Sequence, residues 1–406
     1  MNEPEDAGFT GEEVGTVMSR QGKKTPVGSP VGPKAAAGKN GAAGAAPTDD
    51  KTGAGHKVSA GNKTAALDQA STGMAAIKAG RRIALPLGLV GAGAGAVMAV
   101  ARVAVRREQA RPDAVAADEL DLPGDLDHGW VRMDDGAEIH TVEAGSGPPM
   151  ILLHGITLSV ATWVYQLREL AAGHRVLAID QRGHGQSKGG QEDLGIDRLS
   201  LDLLAVMAEK KIKKAVVVGH SMGGMVALHS VINHPDEFKK HVKGLALVAT
   251  SGGPLSRVPG LLAVAELLQP GLRYRFNRFE ARGRPVLPPG ELSYWLARVS
   301  LGRRPSRRHV ALTAQMVADV SPATLSGLLG AVLSFDLSRH LGDVDLPALV
   351  AVGTNDRLTP AWMAHGLEKG LNQAELKEFD GAGHMLMLER HEELSQALDS
   401  FATSLR

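Results

Sequence analysis

The chain has 406 residues, enough for one large α/β domain with appendages or for two or three smaller domains. Its 45 Lys and Arg nearly balance 44 Asp and Glu, so a net charge of +1 gives no bulk field to attract nucleic acid. With no cysteine, structural disulfides, a cysteine nucleophile and thiolate metal sites are excluded.

Residues 1–80 are rich in Gly, Ala, Lys, Pro and Thr and carry almost no large apolar side chains. Such a stretch cannot bury enough surface to offset chain entropy, and a disordered tail is expected. Over 81–107 the pattern changes to an apolar helix. Arg81 and Arg82 lead into an uncharged run, 83–101, closed by Arg102, Arg106 and Arg107. Its length suits a membrane span, and Gly91 and Gly95 form a G-x-x-x-G. Its many glycines and alanines, with Pro86 inside, suit equally a soluble helix packed on a catalytic domain. Membrane association through 83–101 and no membrane at all both stand as expectations. The location follows as the cytoplasm or the cytoplasmic face of a membrane.

A folded domain is expected over 125–406. Trp130 to Asp134 and Ala137 to Glu143 read as strands joined by Asp134-Asp135-Gly136, a hairpin signal. Short apolar runs ending at Leu153, Ile179, Val218 and Val248 follow, with helical patterns over 161–172 and 199–210 between them. This alternation means a mostly parallel sheet with helices on both faces. It stops over 254–338, a stretch with prolines, many arginines and three helix-like pieces. The last piece opens on Ser321-Pro322, a good cap and first-turn pair. Alternation then resumes with strands ending at Val352 and Phe379 and a closing helix over 389–405. The interruption is expected to be a helical lid inserted into one domain.

The chemistry centres on Gly219-His220-Ser221-Met222-Gly223, set between a β-branched strand and a helix. A strand turning into a helix over one residue forces Ser221 into a strained backbone, and glycines two residues to either side avoid collisions. The turn exposes the Ser221 hydroxyl and directs the Met222 N–H toward a developing oxyanion. A serine hydroxyl needs an adjacent base. His384, on the glycine-flanked loop after the last strand, is the candidate. His391 competes but falls within the closing helix. Asp356 follows a strand and precedes His384, which makes it the candidate orienter; Asn355-Asp356 would also suit a turn. His154 reads as a brace for its loop. Asp180 and Arg182 read as a pair holding a turn, with His184 beside them.

From about Gly129 onward the chain resembles the α/β-hydrolase superfamily, of the lidded serine esterase type. The resemblance rests on His154-Gly155, Asp180-x-Arg182-Gly183-His184-Gly185-x-Ser187, the Ser221 motif with Gly224 behind it, Gly353-x-x-Asp356 and Gly381-x-Gly383-His384, in that order. It implies an eight-stranded mostly parallel sheet and a Ser221–Asp356–His384 triad. It also implies an oxyanion hole made by the Ile156 and Met222 N–H groups. The function implied is hydrolysis of small-molecule carboxylic esters through an acyl-enzyme, with lipid-derived esters as substrates if 83–101 anchors the chain. A cofactor-free haloperoxidase-like or C–C bond hydrolase on the same triad and a non-catalytic ligand-binding member are the alternatives. No metal-ligand spacing occurs, and no cofactor is expected. Lid residues such as Tyr294, Trp295 and Leu328 could line an acyl pocket.

Overall fold

The computed structural model describes residues 118–190, 194–258 and 291–405, together with 103, 105–107, 110 and 112–116. The tail over 1–80 and the apolar run 83–101 lie outside the described residues, as does the part of the inserted segment over 259–290. Among the described residues no single helix is long and apolar enough to cross a membrane.

Eight strands form one sheet: β1 (Asp127–Arg132), β2 (Glu138–Ala144), β3 (Pro149–Leu153), β4 (Arg175–Ile179), β5 (Ala215–His220), β6 (Val242–Val248), β7 (Ala348–Gly353) and β8 (Ala374–Phe379). Their order is β1-β2-β4-β3-β5-β6-β7-β8. The expected hairpin joins β1 and β2, with Val131 opposite Ile139, and closes where the Met133 N–H donates to the Ala137 carbonyl (2.8 Å). β2 runs antiparallel to β4, and all later pairings are parallel.

Period-two alternation sends successive side chains of the central strands to two cores. Val217, Leu245 and Leu247 join Leu203, Met207, Met225 and Leu228 on one face. Val216, Val218, Ala246 and Val248 join Trp163, Leu167, Leu386 and Leu398 on the other. Burial on both faces explains why β5 and β7 read as unbroken apolar runs. Edge strand β8 instead exposes Glu375, Lys377 and Glu378 and buries only Phe379.

The helices in chain order are α1 (Val164–Glu169), α2 (Ile196–Glu209), α3 (Met222–Asn233), α4 (Pro235–His241), α5 (Glu291–Ser300), α6 (Arg307–Asp319), α7 (Pro322–Ser334), α8 (Ala361–Gly370), α9 (Leu386–Glu389) and α10 (His391–Ser404). Two expectations change in detail. The first helix is a 3-10 turn over Val160–Trp163 running into the six residues of α1. The closing helix, α10, starts two residues later than expected, at His391, after the separate short helix α9 and a break at Arg390 (φ −137°, ψ 44°).

Helices α5, α6 and α7 lie between β6 and β7. Ser321 caps α7 by accepting the Thr324 N–H (3.0 Å), with Pro322 as its first residue. Helices α6 and α7 meet at 103°. Leu328, Val332 and Phe335 of this stretch are buried in the core with Leu255 and Val258. Leu328 is thus a packing residue, and Tyr294 is buried as well.

Candidate active site

The motifs singled out in the sequence follow the carboxyl ends of β3, β4, β5, β7 and β8, the edge where ligands bind in parallel sheets. The turn from β5 into α3 takes a single residue. Ser221 sits there at φ 52°, ψ −116°, a conformation that costs a non-glycine residue about 1–3 kcal/mol. Neighbouring bonds hold it: its N–H donates to the Val248 carbonyl (3.0 Å), and its carbonyl accepts from the Thr250 hydroxyl (2.6 Å) and the Gly224 N–H (3.0 Å). The glycines answer two separate contacts. A Cβ on Gly219 would lie 2.5 Å from the Gly223 carbonyl oxygen, across the turn. One on Gly223 would lie 2.3 Å from the Leu153 carbonyl oxygen, on the neighbouring strand β3.

His384 and Asp356 are brought together. His384 Nδ1 lies 2.8 Å from Asp356 Oδ2, with the residues 5% and 6% exposed. The turn reading of Asp356 also holds, because its two oxygens divide the work. Oδ1 accepts the Leu358 and Thr359 N–H groups (2.8 and 2.9 Å), while Oδ2 faces the imidazole and accepts the Thr359 hydroxyl (2.7 Å). That hydroxyl oxygen is also 3.1 Å from His384 Nδ1. Since Nδ1 faces a carboxylate it carries the proton, which leaves Nε2 with the lone pair.

His384 is also tied to the strand that carries Ser221. His220 Nε2 donates to the His384 carbonyl (3.0 Å), and the two rings are 4.7 Å apart. His220 is fully buried, and burial holds its imidazole well below the usual histidine value, hence neutral. Thr359 and His220 both escape a reading of the sequence. Thr359 had a faint signal: a hydroxyl three residues after an aspartate, the spacing of a side chain that caps a turn. His220 had none, because its partner is 164 residues away.

The loop after β3 carries Gly155 and Ile156. A Cβ on Gly155 would lie 3.1 Å from the Ser221 Cβ, so this loop abuts the serine. Its shape is set from below by two neutral histidines. His154 Nδ1 donates to the Gly155 carbonyl (2.7 Å) while Nε2 accepts the Gln181 N–H (2.9 Å). His184 Nδ1 donates to the Arg182 carbonyl (3.1 Å) and Nε2 accepts the Thr157 N–H (3.2 Å). Burial lowers both, His184 to about 3, so each keeps one donor and one acceptor at neutral pH. Thr157 takes φ 64°. Met222 is the first residue of α3, so its N–H has no carbonyl to bond within the helix.

The expected Asp180–Arg182 pair is corrected. Asp180 pairs with His140 (2.8 Å) and also accepts from the Val160 and Gln186 N–H groups (2.8 and 2.9 Å). Burial raises this carboxyl, but the His140 bond and the backbone donors outweigh it and hold the carboxyl below its ordinary value. Arg182 turns the other way. It is fully buried and forks onto Asp202 (2.7 and 2.8 Å) and onto Asp135 of the β1–β2 turn. Two carboxylates within reach of one guanidinium satisfy its donors, which a single neighbour in the same turn could not. Arg182→Met should therefore destabilise the protein by about 3 kcal/mol, because Asp202 and Asp135 lose their nearest cation and are left to Arg198, at 3.2 and 3.8 Å. Urea unfolding measures this, and a loss below about 1 kcal/mol would refute the buried-pair account. His391 starts α10, stacked on Tyr165 at 3.8 Å and bonded to Glu169, away from the serine's partners. Among the described residues no group of three metal-ligating side chains occurs.

The sequence pattern of the alpha/beta hydrolase family matches residues 150–397. The chain belongs to that family. This alpha/beta hydrolase is 26% identical over 276 residues to the AB hydrolase superfamily protein YisY of Bacillus subtilis, covering 68% of this chain and 99% of that one. It is 30% identical over 265 residues to the pimeloyl-(acyl-carrier protein) methyl ester esterase of Chromobacterium violaceum, covering 63% of this chain and 94% of that one. Its fold is like that of the esterase EaEST from Exiguobacterium antarcticum, with a TM-score of 0.59 at 21% identity over 68% of this chain and 98% of that one. The protein is a hydrolase with esterases among its relatives.

Proposed function

We propose that the protein hydrolyses small-molecule carboxylic esters through an acyl-enzyme on Ser221. The observation that carries the reading is the buried 2.8 Å His384–Asp356 bond on a loop tied by His220 to the strand bearing Ser221. In the proposed cycle Ser221 Oγ attacks the ester carbonyl carbon as His384 Nε2 takes its proton. The carbonyl electron pair moves onto oxygen, where the Ile156 and Met222 N–H groups stabilise it. Collapse breaks the C–O bond, and the alkoxide leaves with the proton from His384. Water then attacks the acyl-enzyme, giving its proton to the same nitrogen, and releases the acid and the Ser221 hydroxyl. Asp356 holds the imidazole in the tautomer that keeps Nε2 basic. The esterase relative supports the ester class.

The test is a panel of p-nitrophenyl esters of increasing acyl length, read with fluorophosphonate labelling. Turnover of at least one ester and a label on Ser221 are expected, and the preferred length defines the acyl subsite. A protein that hydrolyses none of them and takes up no label would sink the proposal.

A further inference from the structure

The backbone of His384 is anchored from two sides. Its carbonyl accepts from His220, as described, and its N–H donates to the Ser300 carbonyl at the end of α5 (2.7 Å). The residue before it takes part as well. The Gly383 N–H donates to Glu389 Oε1 (2.9 Å), and the other oxygen, Oε2, accepts the Gly302 N–H (2.6 Å). Gly302 lies just past α5, in the segment inserted between β6 and β7. One carboxylate thus joins the loop of the candidate base to the inserted helices.

The approach is tight enough to demand glycine on both sides. A Cβ on Gly383 would come 2.5 Å from the Gly302 nitrogen, and one on Gly302 would come 2.3 Å from the Gly381 carbonyl oxygen. Two backbone donors converge on one side chain, and an ionised carboxylate is the group with an acceptor for each and no donor to clash. Glu389 ends α9, one turn after His384, so its own anchorage follows the loop it braces.

We propose that Glu389 is a positioning residue that clips the His384 loop to the turn after α5, so that the inserted helices and the base move as one body. This rests on the reading of His384 as the base. A glutamine in its place offers one acceptor and an amide that meets the second N–H donor to donor, so one side of the clip opens. A reacting group misplaced by about 1 Å costs on the order of 10²-fold in rate.

The experiment measures p-nitrophenyl butyrate turnover by the full chain carrying Glu389→Gln, Gly302→Ala or both, with kcat expressed per site titrated by a fluorophosphonate. Glu389→Gln should lower kcat by about 10²-fold with KM changed less than about twofold, the mark of a misplaced base rather than lost substrate binding. Gly302→Ala pushes on the same contact from the other end. It should give a comparable loss, with the double variant little worse than either single. If Glu389→Gln does not fold, Gly302→Ala decides, since it keeps the carboxylate and both backbone donors chemically intact and adds only a methyl group that separates them. A kcat within about twofold of the parent, or losses that multiply in the double variant, would overturn the clip. His384→Ala separates the two readings. If it retains parent-level turnover, the base assignment has failed. If it is inactive while Glu389→Gln is not, the clip alone has failed.

Discussion

Ser221→Ala should lower kcat toward an activated ester by about 10⁴-fold or more and abolish fluorophosphonate labelling. The structure makes this a clean test. The bonds holding residue 221 run through its backbone, to Val248, Thr250 and Gly224. Alanine keeps all of them and pays the same strain at φ 52°. Only the hydroxyl goes, so the unfolding free energy should stay within about 0.5 kcal/mol of the parent. An alanine variant that turns over ester at more than a tenth of the parent rate would end the acyl-enzyme proposal. A variant that is inactive because it is unfolded would contradict the backbone account instead.

Asp356→Asn should have the next largest effect, on the order of 10⁴-fold in kcat. The expected cause is specific to this turn. Asp356 Oδ1 accepts two backbone N–H groups, from Leu358 and Thr359. An asparagine must place its one carbonyl oxygen there or leave both donors unsatisfied. Its amide nitrogen then faces His384 Nδ1, where the carboxylate oxygen stood. An N–H donor at that position selects the tautomer protonated on Nε2, which removes the lone pair the proposed cycle needs. The turn itself survives, so stability should change little while kcat collapses. Steady-state kinetics together with thermal unfolding checks both halves, and a variant within about tenfold of parental kcat would rule out Asp356 as the orienter.

Much of this architecture is legible in the chain before any coordinates. Runs such as Ala215 to Val218 announce buried parallel strands, because strands covered on both faces need apolar residues at every position. The Asp134-Asp135-Gly136 turn and the Ser321-Pro322 helix start are equally local, and both are in place. The misreadings arise where a distant partner overrides a near one. Asp180 and Arg182 are two residues apart and opposite in charge, yet each bonds elsewhere. His140 lies 40 residues from Asp180, and Asp202 lies 20 from Arg182. The closing helix α10 starts within two residues of its expected position, and the short α9 ahead of it ends at Glu389, whose carboxylate bonds Gly302 and Gly383.

The order of residue types along the chain settled the strand–helix alternation, the one-residue turn at Ser221 and the sheet edge on which the candidate side chains had to lie. These depend on periodicity and on steric limits that act over a few residues. Folding in three dimensions decided which atoms face each other: His220 under His384, Thr359 between the aspartate and the imidazole, and Glu389 bridging two glycine backbones. A hydrogen bond needs placement to a few tenths of an ångström. No short-range pattern supplies that when the two partners are 25, 87 or 164 residues apart.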